Sequence, residues 1–278
     1  MELANKHVVI TGGGGGIGGA LARRLAEEGT RAVVVADRDL ARAEAVAADF
    51  GGLAVQFDAA EESGVKALIE QASAANGPID IFISNAGVPG GMGGPESSDE
   101  LWQEAWNVNV MAHVWAARAL LPQMLERGEG YLINTASAAG LLTQVSSLVY
   151  SVTKHAAVSL AEWMAIEYGE AGVRVSCICP QGVRTPMLEL AMHEPAGAAA
   201  LKAGGVIEPE DVAEAVVQGI GDERLLILPH EEVGRFMALK GAKPDRWIAG
   251  MQRLVREARA ADAGSPSAAE AGSAPPTE

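Results

Sequence analysis

Five consecutive glycines stand in Thr11-Gly12-Gly13-Gly14-Gly15-Gly16-Ile17-Gly18-Gly19, between an apolar run over 7–11 and a helical pattern over 16–28. Residues without a Cβ allow a tight turn and close backbone approach, and a helix opening behind them presents N–H groups that have no partner inside the helix. Strand, glycine-rich turn and helix in that order form a cradle for a pyrophosphate, the setting in which a glycine pattern becomes a dinucleotide fingerprint. The run of five leaves the G-x-G-x-x-G register degenerate, and alone it would also suit a flexible turn. The rest of the chain decides between the two.

Apolar runs over 32–36, 53–57, 79–84, 130–135, 173–179 and 224–228 alternate with helical patterns over 39–49, 61–75, 99–127, 149–170 and 208–220. This alternation predicts an α/β fold, a parallel sheet covered by helices on both faces. Runs such as Ala32-Val33-Val34-Val35-Ala36 lack polar alternation, as strands buried on both faces do. A chain of 278 residues, 49% hydrophobic, suits one large domain, here 1–258 with a helical extension over about 230–258. Residues 259–278 are mostly Gly, Ser, Pro, Ala and Glu and are expected to be disordered, because they bury too little apolar surface to offset ordering entropy.

A net charge of −15 with no basic block argues against nucleic acid as a partner. The first residues lack the apolar stretch of a secretory signal, and the most apolar helical region, around 105–125, is interrupted by Asn107, Asn109, His113 and Arg118. A soluble, cytoplasmic protein without a membrane partner is expected. Cys177 and Cys179 fall on one face of the strand over 173–179, too close in sequence for an ordinary cross-strand disulfide. No His/Cys cluster completes a metal site, so they read as core residues and no metal is expected.

The second apolar run ends at Asp37, where a carboxylate can accept hydrogen bonds from the ribose hydroxyls of an adenosine and would repel a 2′-phosphate. No Lys or Arg stands within the glycine run to attract that phosphate. NAD is therefore expected over NADP, with Arg38 read as a solvated surface charge and the one counter-signal.

Tyr150-Ser151-Val152-Thr153-Lys154 places a phenol and an ammonium at i and i+4 on one helix face, thirteen residues after Ser137. A free phenol has a pKa of about 10 and is a poor base at neutral pH. A fixed positive charge ~4 Å away is worth ~4 kcal/mol at an effective dielectric of 20, enough to bring a phenol near working pH. Tyr150 could then exchange a proton with an alcohol.

These residues resemble the classical short-chain dehydrogenase/reductases over nearly the whole chain to about residue 230. The resemblance runs through Thr11-Gly12-x-x-x-Gly16-Ile17-Gly18, Asp58 after the third strand, Asn85-Ala86-Gly87, Asn107-Val108-Asn109-Val110, Ser137 in Asn134-Thr135-Ala136-Ser137, Tyr150-x-x-x-Lys154, and Pro180 to Met187. It implies a Rossmann-like doubly wound seven-stranded sheet in the order 3-2-1-4-5-6-7. It also implies a catalytic set in which Ser137 holds the substrate oxygen, Tyr150 is the acid/base, Lys154 tunes Tyr150 and holds the nicotinamide ribose, and Asn109 positions a water. Gly12, Gly16, Ile17, Gly18, Asp37, Asp58, Asn85, Gly87, Pro180, Val183 and Thr185 are implied cofactor contacts. The family usually has glycine directly after the proline of this last loop, whereas here Gln181 intervenes before Gly182, which puts the local backbone in question.

Plainer readings stand beside these. Asn109 would also serve as a buried helical Asn bonded to backbone; His113 and His155 read as structural; Trp102, Trp106 and Trp115 read as core or subunit contacts. Met187, Leu188, Leu190 and Met192, with the glycine-rich turn 88–94, suggest a hydrophobic secondary alcohol or ketone as substrate, or simply a loop packed on the core. Phe236, Met237, Trp247 and Met251 of the extension are expected to cover the substrate mouth or a neighbouring subunit. The family builds its contacts on helices 99–127 and 149–170, which implies a homotetramer or else a homodimer. A non-catalytic dinucleotide-binding protein, and a dehydratase or epimerase on the same fold, are the alternative functions.

Overall fold

Seven parallel strands run in the order β3-β2-β1-β4-β5-β6-β9 in the computed structural model, which describes residues 1–192 and 205–263. They are β1 (His7–Thr11), β2 (Ala32–Asp37), β3 (Leu53–Gln56), β4 (Ile81–Ser84), β5 (Gly130–Thr135), β6 (Val173–Ile178) and, at the far edge, β9 (Leu226–Ile227). The sheet is parallel, as the strand and helix alternation predicts, and has the Rossmann-like order that the resemblance implies, with β9 in the seventh place.

Successive side chains of each strand enter different cores. Val9, Phe82, Leu132, Val175 and Cys177 pack with α3 (Glu62–Asn76), α5 (Ala112–Arg127) and α7 (Leu148–Tyr168). Val8, Ile10, Ile81, Ile133 and Ile178 pack with α1 (Gly16–Glu27), α2 (Leu40–Ala48) and α9 (Pro209–Gly221). Burying a side chain of this size contributes roughly 1.5–3 kcal/mol, so both helical layers are held by apolar transfer. Cys177 and Cys179 share the first core, their sulfurs 3.8 Å apart and unbonded covalently.

Three features depart from the sequence reading. The helix expected over 99–127 is three segments: α4 (Asp99–Trp106), a π-helical turn (Asn107–Met111) and α5. The Ala112 N–H there reaches the Asn107 carbonyl, five residues back, the widened turn that marks many functional sites. A separate parallel pair, β7 (Gly182–Val183) with β8 (Val206–Ile207), precedes and follows α8 (Pro186–Met192). Two-residue strands have no period for a sequence to display.

The extension forms α10 (Glu231–Ala242) and α11 (Pro244–Ala263), so helix continues past the expected boundary at 258; the rest of the expected disordered tail lies outside the described residues. Val233, Phe236, Met237 and Trp247 pack against α6 (Ala139–Leu142), and the Lys240 ammonium donates to the Leu141 carbonyl at 2.6 Å. The extension thus braces the segment after Ser137, and none of its residues borders the cavity described below. Among the described residues no helix is long and apolar enough to cross a membrane.

Candidate active site

The order 3-2-1-4 reverses between β1 and β4, and a crevice opens there at the carboxyl ends of the strands. Thr11 closes its floor: the Oγ1 accepts the N–H groups of Asn85 and Ala86 at 2.9 and 3.0 Å, while the Asn85 amide donates to the Thr11 carbonyl at 3.0 Å. This pulls the ends of β1 and β4 so close that Gly12, at φ +63°, would put a Cβ 2.9 Å from the Ala86 Cα. A Cβ at Gly18 would lie 2.2 Å from the Gly12 carbonyl oxygen. Gly18 therefore acts by letting α1 pack against the turn, and does not itself border the cavity.

The cavity measures about 650 Å³. Its wall includes Gly12, Gly16, Ile17, Asp37, Asn85, Gly87, Ser137, Tyr150, Lys154, Pro180, Val183 and Thr185. No side chain caps the N-terminus of α1, and Gly15, Gly16 and Ile17 of that terminus line the cavity, leaving backbone donors for an anion. Asp37 is already partly engaged, accepting from Gly14 N–H at 2.9 Å and Asp39 N–H at 3.0 Å, which orients the carboxylate with lone pairs to spare. Asp58 is elsewhere: it is exposed, its carboxylate takes the Ala60 N–H at 2.8 Å, and it does not border the cavity.

Backbone bonds from Ala136 N–H to the Ile178 carbonyl and from Ala138 N–H to the Pro180 carbonyl fix Ser137 between them. Its hydroxyl accepts from Ala139 N–H at 3.1 Å and donates to the Pro180 carbonyl at 3.4 Å. The Lys154 ammonium sits 5.6 Å from the Tyr150 ring centroid and donates to the Thr135 carbonyl at 2.9 Å. Gly87 leaves room beside it, since a Cβ there would touch the Lys154 Nζ and the Asn109 Oδ1, each at 3.3 Å. Asn109 is buried below this point in the π-helical turn. Its amide pairs with both backbone groups of Val88, accepting from N–H at 2.9 Å and donating to the carbonyl at 3.0 Å, and it donates to Thr153 Oγ1 at 3.2 Å. Those backbone bonds match the plainer reading of Asn109, and they hold it behind the cavity wall.

The electrostatics correct one expectation. Burial pushes the Tyr150 phenol above its ordinary value, and the Ser137 hydroxyl only opposes this. Burial also lowers the Lys154 ammonium, to about 8, partly offset by the Cys177 and Cys179 thiols. The resting phenol is a neutral proton donor.

His113 is buried on the same side, and neither ring nitrogen has a hydrogen-bond partner among the described residues. Desolvation first, then the Lys154 charge, lowers it to about 3, with a small opposing pull from the Asn109 carbonyl. Folded His113 therefore stays neutral while an unfolded His protonates near 6.5, so stability is complete above about pH 6.5 and falls as pH drops toward 3. The slope is about 1.4 kcal/mol per pH unit from this group. Melting temperatures between pH 7.5 and 4.5 should fall less steeply in His113→Leu than in the parent; equal slopes would show that another group dominates.

Sequence reasoning missed two residues. Arg42 borders the cavity beside Asp37. His230 answers the question raised by Gln181: its Nδ1 accepts the Gln181 N–H at 3.1 Å and its Nε2 donates to the Gly182 carbonyl at 3.2 Å, a two-point hold on the loop that carries Pro180 and Val183. No local signal announces either, because each acts at a segment remote in sequence or on the opposite side of a turn.

Comparison with known proteins agrees with this geometry. The model of the family described as short chain dehydrogenase matches residues 6–195. The 2,5-dichloro-2,5-cyclohexadiene-1,4-diol dehydrogenase of Sphingobium indicum is 38% identical over 230 residues, 80% of this chain and 92% of that one. The 1-deoxy-11-beta-hydroxypentalenate dehydrogenase of Streptomyces exfoliatus is 36% identical over 242 residues, 84% of this chain and 86% of that one. A crystal structure of a short chain dehydrogenase/reductase from Burkholderia phymatum in complex with NAD superposes with a TM-score of 0.79 at 32% identity, covering 88% of this chain and 96% of that one. The chain belongs to the short-chain dehydrogenase family. It is an oxidoreductase of that family.

Proposed function

We propose that this protein is an NAD-dependent dehydrogenase that interconverts a hydrophobic secondary alcohol and its ketone. The observation that carries the reading is a single cavity lined both by Ser137, Tyr150 and Lys154 and by Asp37 and the uncapped N-terminus of α1. The residues present fit a dinucleotide: glycines where a Cβ would fill the cradle, backbone donors for the pyrophosphate, and a carboxylate for the ribose. A nicotinamide dinucleotide, when bound, supplies or takes up the hydride.

The chain's own groups handle the oxygen. Ser137 orients the substrate oxygen by hydrogen bonding, and Tyr150 gives its proton to that oxygen as a ketone is reduced, or removes the hydroxyl proton as an alcohol is oxidised. Lys154 holds the ribose and stabilises the phenolate left after proton donation. Asn109 is assigned the relay water through its place in the π-helical turn, since its side-chain amide is taken up by Val88 and Thr153. Pro89, Met92, Met187 and Leu188 give the cavity apolar lining suited to a hydrophobic ring or chain. The names of the two relatives, a diol dehydrogenase and a hydroxypentalenate dehydrogenase, are in keeping with oxidation at a carbon bearing a hydroxyl. The test is an NADH-fluorescence screen across cyclic and linear secondary alcohols and ketones; turnover of none of them, with dinucleotide bound, would favour a non-catalytic role.

Assembly through the two long helices is part of the same reading. Trp163 and Ile166 on α7 are exposed by 55% and 81%, and Trp106 at the end of α4 by 38%, an apolar display that a homotetramer would cover. Trp163→Asp combined with Ile166→Asp should reduce the mass measured by light scattering to that of a smaller assembly. An unchanged mass would place the interface elsewhere.

A further inference from the structure

His230 follows β9, precedes the first residue of α10 and is buried, with 3% of its surface exposed. Its Nδ1 takes the Gln181 N–H at 3.1 Å and its Nε2 meets the Gly182 carbonyl at 3.2 Å. A backbone N–H can only donate and a carbonyl can only accept, so the two contacts fix one form of the ring: neutral, with its single proton on Nε2. Protonation would set a second hydrogen on Nδ1 against the Gln181 N–H and break that contact.

The loop held in this way lines the cavity through Pro180, Gln181, Val183 and Thr185. The Pro180 carbonyl accepts from the Ser137 hydroxyl at 3.4 Å and from the Ala138 N–H at 2.8 Å, while the Thr185 methyl lies 3.2 Å from where a Cβ on Gly16 would be. The 180–185 loop therefore runs from Ser137 to the glycine turn. α10 also grips the segment after Ser137, since Val233 packs with Ala138 and Leu142 and Lys240 donates to the Leu141 carbonyl. One helix with its preceding histidine is thus tied to both segments that meet at Ser137.

We propose that His230, in its neutral form, is a positioning residue that sets the 180–185 loop against Ser137, so that dinucleotide and substrate meet in register at Tyr150. The inference rests on the dinucleotide reading of the cavity. The charged groups that face His230 are Glu232 on α10 and Asp211 in the first turn of α9. Both favour the protonated ring, as does the Gly182 carbonyl, but burial is the larger effect and holds the imidazole below its ordinary value of 6.5. The ring is therefore neutral at neutral pH, and the hold is lost as pH falls through a value below 6.5.

The test is binding of NADH and 5′-AMP, with kcat for ketone reduction alongside, in the parent, His230→Leu and His230→Asn. The Asn side-chain oxygen replaces Nδ1 as an acceptor and does not titrate, whereas Leu keeps only the bulk. 5′-AMP lacks the nicotinamide half that would reach Ser137. His230→Leu should lower NADH affinity and kcat about tenfold or more while 5′-AMP changes less than about threefold, and His230→Asn should return both to within about threefold of the parent, as misplacement without unfolding requires. From about pH 7.5 down to about pH 5, NADH binding should weaken in the parent and stay level in His230→Asn. Unchanged NADH affinity and kcat in His230→Leu, equal losses for NADH and 5′-AMP, or a parent-like pH decline in His230→Asn would each overturn the proposal. If His230→Leu does not fold, His230→Asn and its pH profile decide alone. A parent that binds NADH but reduces no ketone would remove the dehydrogenase reading and leave the binding measurements to decide His230; a parent that does not bind NADH would remove both.

Discussion

Tyr150→Phe should leave the fold and dinucleotide affinity intact and lower turnover at least ~10²-fold, the usual contribution of a positioned acid or base. The ring still fills its place beside Lys154, but the phenolic proton is gone. Stopped-flow turnover together with NAD titration by fluorescence separates the two properties; near-normal turnover would dismiss Tyr150 as the proton donor. Lys154→Ala should do comparable damage and also weaken the dinucleotide, because the ammonium is assigned both to the phenolate and to the ribose. Its lowered value of about 8 adds a pH signature. The cofactor-free protein loses the Lys154 charge as pH rises through about 8, so NAD affinity should decline over pH 7–9 in the parent and stay flat in Lys154→Ala. A parallel decline in both would assign the titration to another group.

Asp37→Ser should lower NAD efficiency roughly ten- to hundredfold, the cost of losing charge-assisted hydrogen bonds worth ~1.5–3 kcal/mol, and should narrow the gap to NADP. Two consequences are combined in this variant. The carboxylate that would accept the ribose hydroxyls disappears, and so does the anchor for Gly14 and Asp39 N–H. Melting temperature measures the second consequence and kcat/KM for the two cofactors the first. A parent enzyme that already prefers NADP would show that the neighbouring cation outweighs Asp37.

The glycine run, the Val-rich strands and the Tyr150–Lys154 spacing were legible because each is a local pattern. A period of 3.6, a continuous apolar run, and a residue with no Cβ report backbone geometry within a few residues of themselves. Strand alternation with helices carries topology as well, since parallel strands require crossovers of one hand. Thus a parallel sheet covered on both faces follows from the chain read in order, while its strand order and most residues on the crevice walls came from the resemblance to the short-chain dehydrogenase/reductases.

Only the tertiary structure decided what depends on neighbours remote in sequence. The π-helical turn is registered by Asn109 bonding Val88, twenty-one positions away, and the loop at Gln181 is held by His230, forty-nine away. Asp58 follows the third strand as the pattern asks, yet its exposed carboxylate turns to Ala60. Spacing placed Lys154 beside Tyr150 but could not supply the desolvation of either group, and desolvation overrides their attraction in the resting protein. Arg42 borders the cavity only because α2 folds back over the glycine turn. Periodicity is a property of one segment, whereas burial, charge coupling and hydrogen-bond closure belong to pairs of segments and exist only once those segments have met.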